Sequence, residues 1–275
     1  FFTSCKIAFK GKQDLYVIID EYDNFANEIL SKDRKLFKEI TNANGFLKAF
    51  YKAIKKHTNT VVAKTFITGV SSVSLDSLTS GFNIAKNVTC DPRLNEFAGF
   101  TKDELIGLIE KLVDTKALNT TAENIAEIMR QAYNGYAFCP EATHTLFNSS
   151  MCLNYIDYIS LKKTIENPER VLDPACAFDK SKVADIISFT PKNVLKLVAS
   201  EFETTGEIVI SELAQSINLN QLEQYDLQTS LSVLYYLGYL TIKNDGVGSG
   251  ICLTYPNKMM KYMFELCFIN ALIPK

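Results

Sequence analysis

The sequence predicts an α/β fold: a parallel sheet first, a helical region after it, and a unit of two helices and a hairpin at the end. Three observations carry this prediction. Leu15-Tyr16-Val17-Ile18-Ile19 is an apolar, β-branched run that breaks into the acids Asp20, Glu21 and Asp23, and such a run reads as a strand buried on both faces inside a parallel sheet. A helical stripe and a second apolar run, Val61 to Ile67, follow it; strand, helix and strand in that order imply a right-handed crossover and a parallel pair. Near the end, Leu240-Thr241-Ile242-Lys243 and Ile251-Cys252-Leu253-Thr254-Tyr255 flank a Gly-rich turn behind two helical segments, the order of a winged helix.

The first strand ends where ligands of open α/β sheets bind, outside the carboxyl ends of the strands. A hydrophobic strand followed by Asp-Glu is the pattern of a Walker B element. There the Asp holds Mg²⁺ and the Glu orients or deprotonates the attacking water, because a hard cation takes oxygen ligands and phosphoryl transfer needs a placed nucleophile. Acids also end many strands that carry no chemistry, simply because strands end at the surface. The next segment, Asp33 to Ile54, has apolar residues at Leu36, Phe37, Ile40, Leu47, Phe50, Tyr51 and Ile54, close to a helical stripe, with Asn42-Ala43-Asn44-Gly45 as the candidate break. Lys48, Lys52, Lys55 and Lys56 form its solvated face. The parallel pairing places Thr68 beside Asp20, where a hydroxyl can sense a γ-phosphate or hold the lytic water. Equally, it can be a threonine opening a turn before Gly69.

The stretch Ser71 to Gly81 is rich in hydroxyls and leads to Asp91-Pro92-Arg93. Loops of this kind at a sheet edge often touch ligands, so Ser71 joins the candidate nucleotide contacts. Arg93, the one arginine between Arg34 and Arg130, either neutralises phosphate charge or pairs with a local acid. Thr101 with Glu104 three residues on forms a capping box ahead of Leu105, Leu108, Ile109 and Leu112. Thr121 caps a second helix ending near Asn134-Gly135, and Met151 to Lys163 reads as a third. No catalytic constellation stands out in this middle part. In the last part, Ile210 to Ile217 is expected as a short helix and Gln221 to Tyr239 as a longer one.

Composition excludes several classes. With 29 basic against 31 acidic residues, no global field recruits nucleic acid or membrane. The seven cysteines are scattered without a C-x-x-C, which points to reduced thiols and a cytoplasmic setting. Only His57 and His144 supply imidazoles, so a structural zinc site is not expected. No run is long enough to cross a bilayer. The winged-helix segment is poor in the means to grip DNA: from Gly206 through Leu240 there is no Lys or Arg, while Glu207, Glu212, Glu223 and Asp226 are acidic. Phosphate neutralisation dominates DNA affinity, so this unit reads as one that packs against protein and does not bind DNA directly.

Six short motifs occur in one order: YVIIDEYD (Tyr16 to Asp23), FITGVS (Phe66 to Ser71), Asp91-Pro92-Arg93, Gly99-Phe100-Thr101, Tyr133-Asn134-Gly135-Tyr136 and LGYLTI (Leu237 to Ile242). In that order they resemble the AAA-ATPase-like proteins, relatives of STAND-type P-loop ATPases often fused to a C-terminal PD-(D/E)XK nuclease-like domain. The resemblance implies ATP and Mg²⁺ as ligands, Asp20 as the Mg²⁺ residue, Glu21 as the catalytic acid and Thr68 as a sensor. Asp23 and Arg93 match further motif positions, here taken with Ser71 as nucleotide contacts. Asn24-Phe25 departs from the family's usual Lys-Pro. The larger departure is that no G-x-x-x-x-G-K-[ST] turn occurs: Gly11-Lys12-Gln13 lacks the first Gly and the hydroxyl residue.

Two accounts fit. In one, the phosphate cradle lies upstream of Phe1, the parent is an ATPase or ATP-driven switch, and this chain alone hydrolyses ATP poorly or not at all. In the other, the chain is a pseudo-ATPase scaffold acting through protein contacts or self-association. The expected division is an incomplete P-loop NTPase core over 1–99, a helical lid over 100–200 and a winged helix over 201–275, with no nuclease-like domain in this chain.

Overall fold

The computed structural model describes residues 1–22, 35, 36, 39, 45–69, 85–171, 191–214, 226–243 and 250–272. The chain is mixed α/β and forms two compact units, one of residues 1–87 with 214–222, the other of 88–213 with 223–275.

In the first unit, helix α1 (Phe2–Ala8) precedes strand β1 (Leu15–Ile19), and helix α2 (Phe46–His57) precedes strand β2 (Val62–Ile67). β1 and β2 pair in parallel, Ile18 opposite Phe66 and Ile19 opposite Ile67. The strand order around α2 demands this, since a crossover returns the chain in the same direction. α2 buries Tyr51 and Ile54, three residues apart on one stripe, and exposes Lys52 and Lys56.

One expectation is corrected here. β1 is not covered on both faces: Leu15, Val17 and Ile19 are half-buried, whereas Tyr16 is 63% and Ile18 74% exposed. Side chains alternate across a strand, so a single uncovered face exposes every second residue of an otherwise apolar run. Among the described residues the sheet has two strands, and Phe66 lies on the same open face. The earlier break noted at Asn42 to Asn44 lies outside the described residues.

The second unit has two hydrophobic cores. Helices α3 (Lys102–Leu112), α4 (Ala122–Tyr133) and α5 (Ser149–Lys162) enclose the first, with Leu105, Ile109, Ile125, Met129, Tyr155 and Ile159 fully buried. The caps foreseen from sequence are present. Thr101 and Glu104 form a complete capping box at α3, and the Thr121 hydroxyl accepts from the Asn124 amide at α4. The second core collects helix α6 (Lys192–Thr204), strand β3 (Glu207–Ile210), helix α7 (Leu227–Tyr236), strands β4 (Thr241–Ile242) and β5 (Ile251–Thr254), and helix α8 (Lys258–Leu272).

The three strands run antiparallel in the order β3-β5-β4. The helix expected from Ile210 is a second correction: Ile210 ends β3, and 211–214 are not helical. Glu207-Ile208-Val209-Ile210 alternates half-buried, buried, exposed and buried, and its β-branched residues pair edge to edge with β5, which outweighs any helical reading. The remainder of that expected helix, 215–217, and the start of the longer one, 221–225, lie outside the described residues. Asp226 caps α7, accepting from the Thr229 amide.

The two cores are joined through Tyr133 to Ala137. Tyr133 closes α4 within the first core, while Tyr136 and Ala137 belong to the second. Between them Gly135 adopts φ +111° and lies against Pro256, whose carbonyl oxygen would sit 1.7 Å from any Cβ placed there. The Asn257 amide donates to the Asn134 carbonyl at 2.9 Å, and the Ala137 amide donates to the Thr241 hydroxyl at 2.8 Å. The Tyr-Asn-Gly-Tyr motif thus reads structurally: only a residue without a Cβ lets this turn press against the chain entering α8.

Candidate functional site at the carboxyl edge of the parallel strands

β1 and β2 end side by side, and the pairing continues beyond the last strand residues. The Thr68 amide donates to the Ile19 carbonyl at 2.8 Å, and the Tyr22 amide donates to the Thr68 carbonyl at 3.0 Å. This fixes residues 20–22 against Thr68. The Thr68 hydroxyl donates to Asp20 Oδ1 at 2.5 Å, and the Glu21 amide donates to the same oxygen at 3.0 Å. A carboxylate oxygen held by two donors leaves its partner oxygen directed and available, which suits a group that must present itself to a cation.

Glu21 follows in the left-handed region at φ +49°. A non-glycine residue there carries a backbone cost, and such residues persist where their surroundings over-determine them, often at functional sites. Both acids are exposed, while Tyr22 turns inward and is buried. Sequence reasoning anticipated the meeting of Asp20 with Thr68 but not the conformation of Glu21, since no residue pattern signals a left-handed glutamate.

The other candidates are placed differently. Asp23 and Ser71 lie outside the described residues. Arg93 belongs to the second unit, in a short 3-10 turn (Pro92–Leu94). Its guanidinium grips Asp91 in a two-point fork, Nε to Oδ1 at 2.9 Å and Nη2 to Oδ2 at 2.6 Å. The hydrogen bonds and charge of Asp91 hold it yet more firmly protonated than a free arginine. Arg93 is therefore committed to a local acid, the second of its two readings from sequence.

As a donor set, the edge offers the Asp20 carboxylate, the Glu21 carboxylate and the Thr68 hydroxyl, all hard oxygens. Among the described residues no group of three or more His, Cys, Asp or Glu side chains gathers into a cage for a metal. Mg²⁺ needs no such cage: it keeps most of its waters and is held by one or two carboxylates together with substrate phosphates. Asp20, with one oxygen pinned, and Glu21 beside it therefore fit Mg²⁺ better than a metal that requires a full protein shell. Bound there, the ion would neutralise phosphate charge.

The comparison with protein families agrees in place with this edge. Residues 3–79 match the family described as Predicted AAA-ATPase, a description that implies nucleotide handling. The matched stretch contains β1, β2, Asp20, Glu21 and Thr68. No curated protein and no solved structure matches the chain. No helix among the described residues is long and apolar enough to cross a membrane.

Proposed function

We propose that this chain carries the magnesium and catalytic edge of an ATP-binding P-loop ATPase or ATP-driven switch. Asp20 holds Mg²⁺, Glu21 orients or deprotonates the attacking water, and Thr68 positions Asp20. The reading rests chiefly on one observation, the hydrogen bond from Thr68 to Asp20 across two parallel strands at their carboxyl ends. Two features add to it: the left-handed Glu21 and the family match over the same stretch. In such an edge the residues act on position and protonation: Asp20 stays ionised and directed, while Glu21 receives the proton of a water lined up for in-line attack. Asp23 and Ser71 remain proposed nucleotide contacts, whereas Arg93 is left to its pairing with Asp91.

Around this edge we divide the chain by function into an ATPase core over 1–99, a helical lid over 100–200 and a winged helix over 201–275. The sheet order β3-β5-β4, with α7 leading into the β4-β5 pair, supports the last assignment. In α7, Ser230 through Tyr235 are all buried, six consecutive residues that cover more than a full turn. A helix already covered on every side by its own chain has no face to lay in a DNA groove, which supports a winged helix that does not bind DNA directly.

The test is nucleotide binding and turnover by the natural protein that contains this chain. Mg-ATP should raise its melting temperature, and E21Q should lower turnover about a hundredfold or more while leaving binding in place. Unchanged turnover in E21Q removes Glu21 from its role. If no nucleotide shifts melting even at saturating concentration, the chain is instead a pseudo-ATPase scaffold that acts through protein contacts.

A further inference from the structure

Tyr133-Asn134-Gly135-Tyr136 joins the two cores of the second unit, and it also contains an Asn-Gly step. In such a step the backbone nitrogen can attack the preceding side chain with least obstruction, because glycine puts no Cβ beside that nitrogen. The packing against Pro256 that demands glycine at 135 therefore makes Asn134 chemically vulnerable.

The local geometry favours the attack. Asn134 lies just past the end of α4 with extended backbone, φ −86° and ψ 179°. The Gly135 amide is turned onto the Asn134 side chain, donating to Oδ1 at 2.6 Å, so the nitrogen lies beside Cγ, the carbon that carries this oxygen. Reacting groups already in contact need little further ordering. On the other side of the same peptide, the Asn257 side-chain amide donates to the Asn134 carbonyl at 2.9 Å. When the peptide nitrogen loses its proton, much of the charge moves to that carbonyl oxygen, so a donor placed there eases the loss. Asn257 is itself held in place, its Oδ1 accepting from the Met260 amide in the first turn of α8 at 3.0 Å. Asn134 and Gly135 are both half-buried, so water reaches the turn.

We propose that Asn134 is a self-modification site, at which the folded turn drives closure of the Gly135 nitrogen onto Asn134 Cγ. The Gly135 nitrogen gives its proton to hydroxide and bonds to Cγ. The bond from Cγ to Nδ2 breaks, and Nδ2 takes up a proton and leaves as ammonia. Water then opens the cyclic imide, on one side to aspartate and on the other to isoaspartate, in which the main chain runs through Cβ and Cγ. The sequence consumes only water and releases only ammonia. Isoaspartate lengthens the main chain by an extra carbon where Gly135 has no room beside Pro256. The modification thus loosens the joint between the two cores as the protein ages, and it does not depend on ATP chemistry at Asp20.

The test follows the natural protein that contains this chain at mildly alkaline pH. Isoaspartate at residue 134 is read by peptide mass spectrometry and by labelling with an isoaspartyl methyltransferase. Asn44-Gly45, the second Asn-Gly step of the chain, serves as an internal reference. In guanidinium-unfolded protein the two steps should react alike. In folded protein Asn134 should react about tenfold faster than it does unfolded. N257D keeps the oxygen that accepts from Met260 but loses the donor, and should slow the folded reaction about fivefold while leaving the unfolded rate as it was. Aged protein should melt at a lower temperature than fresh protein, and N134S should show no such ageing.

A folded rate equal to or below the unfolded rate overturns the proposal on the unsubstituted protein alone, whatever N257D does to folding. An N257D protein that melts normally and reacts as fast as the parent also overturns it. Isoaspartate at 134 with unchanged melting overturns the loosening of the joint.

Discussion

Ile18 in β1 and Ile109 in α3 are the same side chain in opposite circumstances: the first is 74% exposed on an open strand face, the second wholly buried among three helices. The contrast extends to their units. The second unit builds two cores and joins them through a crowded turn, whereas the first presents a two-stranded parallel pair, its acids and much of its apolar surface to the outside. Stability and chemistry are thus divided along the chain. Exposed edges can bind and react because little packing depends on them, and packed elements hold shape because their groups are already used.

The sharpest way to break this contrast is at the joint. Gly135→Ala would force a Cβ into the Pro256 carbonyl at a φ that only glycine adopts freely. Neither the backbone oxygen nor the turn can yield without pulling Asn257 from Asn134. We expect a loss above about 4 kcal/mol in denaturant unfolding of the second unit, among the largest single-residue effects. A cost under about 1 kcal/mol would mean that the two cores are joined elsewhere.

The paired isoleucines come next. Ile109→Ala empties a fully buried site and should cost about 2–5 kcal/mol. Ile18→Ala removes little from water and should cost no more than about 1 kcal/mol. Equal costs would show that the open strand face is covered in solution and would sink the view of the first unit as an open platform.

How much of this was legible in the sequence depends on how far each cause reaches. The caps at Thr101 and Thr121 are local, residue to residue across one turn, and both were readable. Parallel pairing and the meeting of Thr68 with Asp20 follow from strand, helix and strand in order, so they were readable too. The open face was not, because Leu-Tyr-Val-Ile-Ile has the same composition whether one side or both are covered. Glu207 to Ile210 becomes a strand only because β5, more than 40 residues on, supplies its partner. The need for glycine at 135 comes from Pro256, more remote still in sequence. The left-handed Glu21 depends on how Asp20 and Thr68 lock, which no spacing encodes.

Alkaline pH distinguishes the units a third way. Burial pushes the phenols of Tyr136 and Tyr155 up to about 12, from an ordinary 10.0. Folded, they keep protons that the unfolded chain releases, so the stabilisation is complete below pH 10 and is lost as pH rises from 10 towards 12. Each contributes on the order of 2 kcal/mol. Chemical denaturation followed from pH 9 to 12 should show the second unit weakening across this range, with a smaller slope in Y155F. A flat profile would show that these hydroxyls reach water.

The smallest effect on stability, and the most informative about chemistry, belongs to Thr68→Val. Its hydroxyl sits at an exposed edge, so replacing it with a methyl group of similar shape should change folding by no more than about 0.5 kcal/mol. What it removes is the donor that fixes one oxygen of Asp20, leaving the Glu21 amide to hold that oxygen. Groups that orient a metal-binding carboxylate commonly govern affinity by about tenfold or more without touching the metal. In the natural protein, T68V should therefore weaken magnesium-dependent nucleotide binding about tenfold, while T68S, which keeps the donor, should bind normally. Should T68V and T68S bind alike, Thr68 does not set the direction of Asp20, and the hydrogen bond between the strands only closes a turn.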